Sequence, residues 1–341
     1  MRVLRSLLLL LLLALAALAA AALWWQSVLD TPGKQSAVVE LRVVSGDSLR
    51  SALTRLEAAE VWRQPRLIEA WLRLTYPDFI LRTGRYQIAP GASPREVILQ
   101  LAEGRVVLET LTVIEGTRFA DFRRALESHP EVRVTLRGLS DALVMARLGS
   151  ELHPEGQFFP DTYRFAAGTT DLELLRLAHQ RMQRLLAELW SNRAPDLPFG
   201  SPLEALILAS IVEKESALLS ERARVAGVFV SRLRLDMRLQ SDPTVIYGIG
   251  PSYDGNIRRR DLVTDTPYNT YTRKGLPPTP IALPGESALR AVMQPLVTGE
   301  LFFVATGDPD GSHRFSKTYA EHRLAVAQYL KALRAARLAA P

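Results

Sequence analysis

The chain has 341 residues, of which 48% are hydrophobic, and it carries a formal net charge of +6 at pH 7. This length predicts about two domains and leaves enough chain for a large core. The basic residues are dispersed, with residues 258–260 as the only compact run, so the charge predicts no nucleic-acid partner. There is no cysteine, which excludes disulfides and thiolate chemistry.

The first thirty residues predict a membrane-spanning helix. Two arginines within residues 1–5 precede a nearly uninterrupted Leu/Ala run over residues 6–25, which ends in two tryptophans. About twenty apolar residues match the hydrocarbon core, and the tryptophans suit a membrane boundary. A cleaved signal peptide is the competing interpretation, but the run is longer than a usual signal core. We expect a single-pass anchor with residues 1–5 in the cytoplasm and the rest outside it, where anionic envelope polymers and lipid suit its basic charge.

A small mixed unit is predicted after a polar linker at residues 26–36, which contains Pro32 and Gly33. Residues 93–96 read Ser-Pro-Arg-Glu, a helix start with proline and a capping box, and Gly104 is the expected end of that helix. Residues 37–107 therefore predict a compact α+β domain. Its other predicted elements are strands at 37–44 and 84–88 and helices at 51–59 and 66–74.

A larger, mostly helical region is predicted from residue 108 to residue 341, so the overall fold class is α+β. No internal repeat is present. The predicted elements are a strand from 108, a helix near 118–126, mostly helix to 190, a loop at 193–200, helices from 201 and at 221–235, strands at 301–305 and 313–316, and a terminal helix from about 319.

The helix from residue 201 carries an acid among residues that otherwise predict a helix core. Ser201 is the expected N-cap, with Pro202 and Glu204 as first-turn proline and capping-box acid. At about 100° per residue, Glu215 projects toward the apolar side of this helix and Glu213 points away from it. We therefore expect Glu215 to be the more desolvated acid, with a raised pKa suited to general-acid chemistry. The alternative is a structural ion pair or a frayed helix end.

Several common catalytic constellations are absent from the sequence. No serine lies in a G-x-S-x-G elbow, and the five histidines are scattered singly. Without thiols or a paired-histidine motif, a catalytic metal is not expected, and no cofactor is predicted.

The segment from residue 240 to residue 285 lacks periodicity and is rich in proline, glycine and hydrogen-bonding residues. Long irregular segments within a globular domain are often functional. Neutral polar and aromatic side chains of this kind are typical of sugar sites. Asp242 could supply the second carboxylate of ordinary glycoside hydrolysis, or it could form a turn before Pro243.

Three motifs in order give this sequence its family resemblance. They are residues 211–216 (IVEKES), 238–248 (RLQSDPTVIYG) and 268–271 (YNTY) with 275–281 (GLPPTPI). Together with residues 155–156, 159–162 and 84–104, they resemble the endolytic murein transglycosylase, or YceG-like, family. The Gln157-Phe158 pair departs from the Trp-rich version of that segment in the family. The resemblance covers the chain from the anchor to the terminal helix.

The resemblance implies a single-pass inner-membrane lyase that cuts nascent peptidoglycan between N-acetylmuramic acid and N-acetylglucosamine. It implies a LysM-like module at 37–107, a catalytic domain at 108–341, glycan strands and the lipid bilayer as partners, and peptidoglycan synthases as candidate partners. Glu215 corresponds to the catalytic glutamate of the family. By their place in the motifs, the substrate-binding candidates are Ser216, Gln240, Asp242, Thr244, Tyr247, Asn269 and Tyr271.

Two other functions remain open from the sequence. One is a non-catalytic scaffold that binds peptidoglycan and recruits synthases. It would have no need of a carboxylate at position 215, where leucine would pack better. The other is hydrolysis of a different envelope polysaccharide with Asp242 as the second carboxylate.

Overall fold

The computed structural model describes residues 2–44 and 46–339 and divides the chain into two units. Unit 1 comprises Met1–Thr110, Glu131–Arg133 and Arg164–Thr169, and unit 2 comprises Leu111–Pro130, Val134–Tyr163 and Thr170–Pro341. Met1, Ser45 and residues 340–341 belong to segments predicted above and lie outside the described residues. Helices and strands are mixed throughout, as the predicted α+β class requires. The predicted domain boundaries stay a prediction.

Unit 1 folds around its own apolar core. Strand β1 pairs antiparallel with β2, with Val39 opposite Ile88 and Val43 opposite Gly84. The helices close over this pair and bury the Tyr86 ring completely. The capping box at Ser93 forms as predicted, and that helix ends at Gly104 in the left-handed conformation. The elements are α1 (Arg2–Asp30), β1 (Val39–Val43), α2 (Leu49–Ala58), α3 (Pro65–Thr75), β2 (Gly84–Ile88) and α4 (Pro94–Glu103).

Helix α1 is long and apolar enough to cross a membrane, by length and composition, from Leu4 to Asp30. Its side chains are exposed from Leu4 to Trp24. Beyond that point one side of the helix packs on unit 1, where Leu29 is only 2% exposed, and the exposed Asp30 pairs with Arg95 at 2.6 Å. Residues 26–30, expected to belong to a polar linker, are thus the last turn of α1.

Two further strands, β3 (Leu108–Thr112) and β4 (Thr162–Ala166), form a separate two-stranded sheet, and the division between the units crosses both of them. The rest of unit 2 is mostly helical, as predicted. Its elements are α5 (Phe119–Ser128), α6 (Asp141–Arg147), α7 (Asp171–Ser191), α8 (Pro202–Glu215), α9 (Arg222–Arg234), α10 (Asp242–Ile249), α11 (Arg259–Val263), α12 (Glu286–Met293), β5 (Phe302–Ala305), β6 (His313–Ser316) and α13 (Tyr319–Ala339).

Helix α8 runs through the middle of the unit 2 core. Ser201, Pro202 and Glu204 build the predicted capping box at its start. Every residue from Ala205 to Val212 is buried, which is the pattern of a helix covered on all sides. Helices α9 and α12 pack against it. The buried stretch ends three residues before the helix ends, so the acidic residues of the last turn of α8 lie at the edge of the core.

The segment from residue 240 to residue 285 is more regular than its sequence pattern suggested. It contains α10 and α11, each too short for helical periodicity to register. Between and beyond them the backbone is ordered by side-chain hydrogen bonds. The expectation of a wholly irregular segment was therefore wrong for these two stretches.

Candidate active site

Glu215 is the last residue of α8 and holds its carboxylate against the loop that leads into α10. Ser241 Oγ donates a 2.6 Å hydrogen bond to Glu215 Oε1. Ser241 is buried, whereas Glu215 keeps some contact with solvent. With Oε1 engaged by a neutral donor, Oε2 is left to carry a proton or meet a ligand.

Burial raises the pKa of Glu215 from 4.5 to about 7. The Ser241 hydrogen bond opposes this rise, the negative charge of Asp242 adds to it, and the positive charge of Arg232 opposes it. A carboxyl with this pKa can give up a proton and take it back near neutral pH, as one group acting first as acid and then as base must do.

Glu213, two residues earlier, is also largely buried, although the sequence predicted that it would point away from the apolar side of the helix. Its side chain is 4% exposed and pairs with Arg222 through two hydrogen bonds of 2.7 and 3.0 Å. It also accepts the backbone N–H of Gly285 at 3.0 Å. Both acids are desolvated, but Glu213 has the structural ion pair and Glu215 does not. Their partners, rather than their burial, distinguish them.

Arg232 fixes the loop that carries Ser241. Its guanidinium, largely buried, donates to the carbonyls of Leu239 at 2.8 Å and Leu301 at 2.6 Å, and to the side-chain oxygen of Gln240 at 3.3 Å. Gln240 adopts the left-handed conformation, with φ of 53°. A non-glycine residue holds this conformation only when its surroundings impose it. The exposed Gln240 side chain is linked to Glu215 through Arg232, whose charge acts on that acid.

Asp242 and Tyr271 are linked on the open side of the site. Tyr271 Oη donates a 2.6 Å hydrogen bond to Asp242 Oδ1. Asp242 is exposed at the start of α10, and burial together with this carboxylate raises the pKa of the Tyr271 phenol. Glu215, Gln240, Asp242 and Tyr271 therefore form one polar cluster with access to solvent.

Three of the predicted binding residues are instead buried and bonded within the protein. Ser216 Oγ donates to the carbonyl of Leu218 at 3.1 Å, and Thr244 Oγ1 donates to that of Ser241 at 2.7 Å. The Asn269 amide donates to three carbonyls between residues 261 and 264, and its oxygen accepts the N–H of Tyr271 at 2.8 Å. These contacts order the loop, so direct sugar contact by these three residues is not supported.

Tyr247 belongs to a neighbouring buried network. Its hydroxyl donates to Glu155 Oε2 at 3.1 Å, and Glu155 Oε1 accepts the N–H of Phe119 at 2.9 Å. Burial raises the pKa of Glu155 to about 7. The Tyr247 ring packs on the Tyr268 ring, with 4.8 Å between the two centroids. The Arg118 guanidinium lies 5.0 Å from the centroid of the Tyr247 ring.

The predicted site residues did not include Ser241, Arg232 and Glu155, which the structure places in contact with them. Ser241 stood between two predicted site residues, which was the one available signal. Arg232 and Glu155 act through tertiary contacts that no local pattern shows. Within residues 2–44 and 46–339, no three His, Asp or Glu side chains are placed to hold a metal ion together.

Comparison with known proteins gives a consistent result. The model of the YceG-like family matches residues 41–328. An endolytic murein transglycosylase of Bacillus subtilis is 28% identical over 332 residues, which cover 90% of this chain and 89% of the relative. A protein of the same name from Streptococcus pneumoniae is 25% identical over 89% of this chain. The chain spans 60% of that longer relative.

A solved structure shares the fold. The crystal structure of a YceG-like protein from Listeria monocytogenes superposes with a TM-score of 0.55 at 26% sequence identity. The match covers 85% of this chain and 99% of the Listeria chain.

Proposed function

The chain belongs to the YceG-like family, and on that premise we propose that it is a membrane-anchored endolytic murein transglycosylase. The observation that carries the proposal is Glu215, a residue that keeps some solvent contact and whose carboxyl has a pKa raised to about 7 and a neutral hydroxyl as its bonded partner. A carboxyl of this kind can start glycosidic cleavage as an acid.

In the proposed reaction, protonated Glu215 Oε2 gives its proton to the glycosidic oxygen between N-acetylmuramic acid and N-acetylglucosamine. The glycosidic bond breaks, and the N-acetylglucosamine hydroxyl leaves. The resulting Glu215 carboxylate then removes the proton of the muramic acid C6 hydroxyl, whose oxygen bonds to C1 and closes a 1,6-anhydro ring. No water is consumed, so the products are those of a lyase.

One carboxyl suffices because the nucleophile belongs to the substrate. An intramolecular hydroxyl has an effective concentration far above that of a free reactant, which replaces the water that a second carboxylate would activate. Ser241 holds Glu215 in place throughout. Asp242 then raises the pKa of Glu215 and, with Gln240 and Tyr271, forms part of the saccharide groove.

The proposal includes location and module roles. We propose that α1 crosses the inner membrane once, with residues 1–5 cytoplasmic and the catalytic domain at 108–341 outside. Cleavage there would end elongation of nascent strands. Residues 37–107 are proposed to be a LysM-like module, which is supported by their separate core. Peptidoglycan synthases are proposed as partners.

The test is product analysis with uncrosslinked glycan strands and the full-length protein in detergent. Mass spectrometry should find 1,6-anhydro-muramic ends, and Glu215→Gln should lower turnover by about 10²–10⁴-fold. Glu188→Gln, on an exposed face of α7, is the matched control and should leave turnover unchanged. If the wild type forms reducing ends and Asp242→Asn no longer forms them, the protein is the hydrolase instead. If the wild type binds strands and forms no product, it is the scaffold.

A further inference from the structure

Helix α3 presents an apolar stripe to solvent. Leu67, Trp71 and Leu74 follow one another at the helical spacing i, i+4, i+7, with Leu67 46% and Leu74 83% exposed. The opposite side of α3 is already packed, since Ile68 and Leu72 are buried in the unit 1 core. Leu67 and Leu74 therefore lie outside the core of unit 1, whereas the half-buried Trp71 also packs against that core.

The exposed charges on the same helix are of one sign. Arg66 and Arg73 are exposed on α3. The only acid of α3, Glu69, is buried and already pairs with Arg50 at 2.9 Å and Arg73 at 2.7 Å. Exposed leucines and a partly exposed tryptophan, bordered by arginine, are typical of a helix that lies in the plane of an anionic membrane surface.

The start of α3 lies beside the membrane helix. A cavity of 440 Å³ is lined by Trp24 and Val28 of α1 and by Gln64 and Ile68 at the beginning of α3. The side chains of α1 are exposed without interruption from Leu4 to Trp24, and the first partly buried one is Trp25. The first turn of α3 therefore lies at the level of the proposed bilayer boundary.

We propose that the exposed face of α3 is a second membrane contact, which docks unit 1 on the acidic phospholipid headgroups around α1. The inference rests on the proposed membrane anchor. Leu67, Trp71 and Leu74 enter the headgroup boundary, and Arg66 meets lipid phosphates. Such contact adds surface attachment to the single crossing and fixes the face of unit 1 that points to the bilayer.

The absence of cysteine allows a direct test, because one introduced cysteine takes one spin label. The full-length chain would be labelled singly at Leu67→Cys or Leu74→Cys and placed in phosphatidylcholine vesicles with or without phosphatidylglycerol. Leu12→Cys within α1 and Leu235→Cys, an exposed leucine of unit 2, are the lipid and water references. Circular dichroism checks that each variant is folded.

The labels at positions 67 and 74 should collide with oxygen more than with an aqueous nickel chelate once phosphatidylglycerol is present, and Arg66→Glu should weaken this preference. If position 12 reports lipid while 67 and 74 match position 235, the docking is wrong and the anchor stands. If the label at position 12 is itself in water, both the docking and the membrane anchor are wrong. Equal lipid contact with and without phosphatidylglycerol would overturn the assignment to acidic headgroups.

Discussion

Replacing Glu215 by glutamine should stabilise the folded protein at neutral pH while removing its chemistry. Glutamine has the shape of glutamate, and its oxygen can still accept the Ser241 hydrogen bond. It carries no charge, however, and the charged form of Glu215 is the one that burial disfavours. The glutamate at position 215 is thus expected to lower the stability of the fold at neutral pH while it provides the reactive group.

The magnitude follows from the pKa of Glu215, which rises from 4.5 to about 7 on folding. Between these values the unfolded chain has released the proton and the folded chain still holds it, so stability falls as pH rises. Because each pKa unit corresponds to about 1.4 kcal/mol, the rise from 4.5 to about 7 lowers the free energy of unfolding of the wild type by about 3 kcal/mol once the pH reaches about 7. Because Glu215 keeps some solvent contact, this is an upper figure. Glu215→Gln removes the loss.

The assay is calorimetric unfolding of the full-length protein in detergent, from about pH 4 to about pH 8. The stability gain of Glu215→Gln over wild type should be absent at the acid end and should grow to a plateau near pH 7. Glu188→Gln should show no such gain. Glu155→Gln should show a similar pH dependence, because burial also raises the pKa of Glu155 to about 7. A difference that does not vary with pH would mean that Glu215 titrates normally and would refute the argument.

Three further variants test the surroundings of the acid. Asp242→Asn removes a negative neighbour, so the pKa of Glu215 should fall and the decline of kcat/KM should begin at lower pH; an unmoved profile would contradict the coupling. Ser241→Ala removes a donor to the carboxylate, so the same decline should move to higher pH, and turnover should drop because Glu215 is no longer held. Arg222→Ala strands the buried charge of Glu213 and should cost about 3–5 kcal/mol in urea unfolding, whereas a change below about 1 kcal/mol would mean that the pair is replaceable.

Local signals in the sequence predicted the start of α8 and the extent of β2 well. Capping boxes, prolines and strand alternation act over a few residues, and the structure has them where they were expected. The same kind of reasoning placed Glu215 at the end of a buried helix. It did not show the burial of Glu213, because helical phase does not reveal that Arg222, from the next helix, encloses the second acid.

Polar residues of the 240–271 segment could not be sorted by pattern into ligand-facing and loop-ordering groups. Asn269 and Tyr271 are two residues apart in one motif, yet the first is buried on backbone partners and the second reaches Asp242. The difference arises from the path of the backbone through α10 and α11. That path depends on tertiary hydrogen bonds, such as those of Arg232, which connect residues far apart in the chain.

The continuation of α1 into the unit 1 core changes how the anchor limits motion. A flexible tether lets a domain sample a volume that grows with linker length, whereas a docked helix lets it only turn about the helix axis and tilt with it. With Leu29 buried and Asp30 paired with Arg95, unit 1 has the second kind of attachment. Lengthening the chain after Asp30 would therefore not let unit 1 move farther from the membrane. Each residue inserted before Leu29 would instead rotate unit 1 by about 100° and shift it by about 1.5 Å along the helix axis.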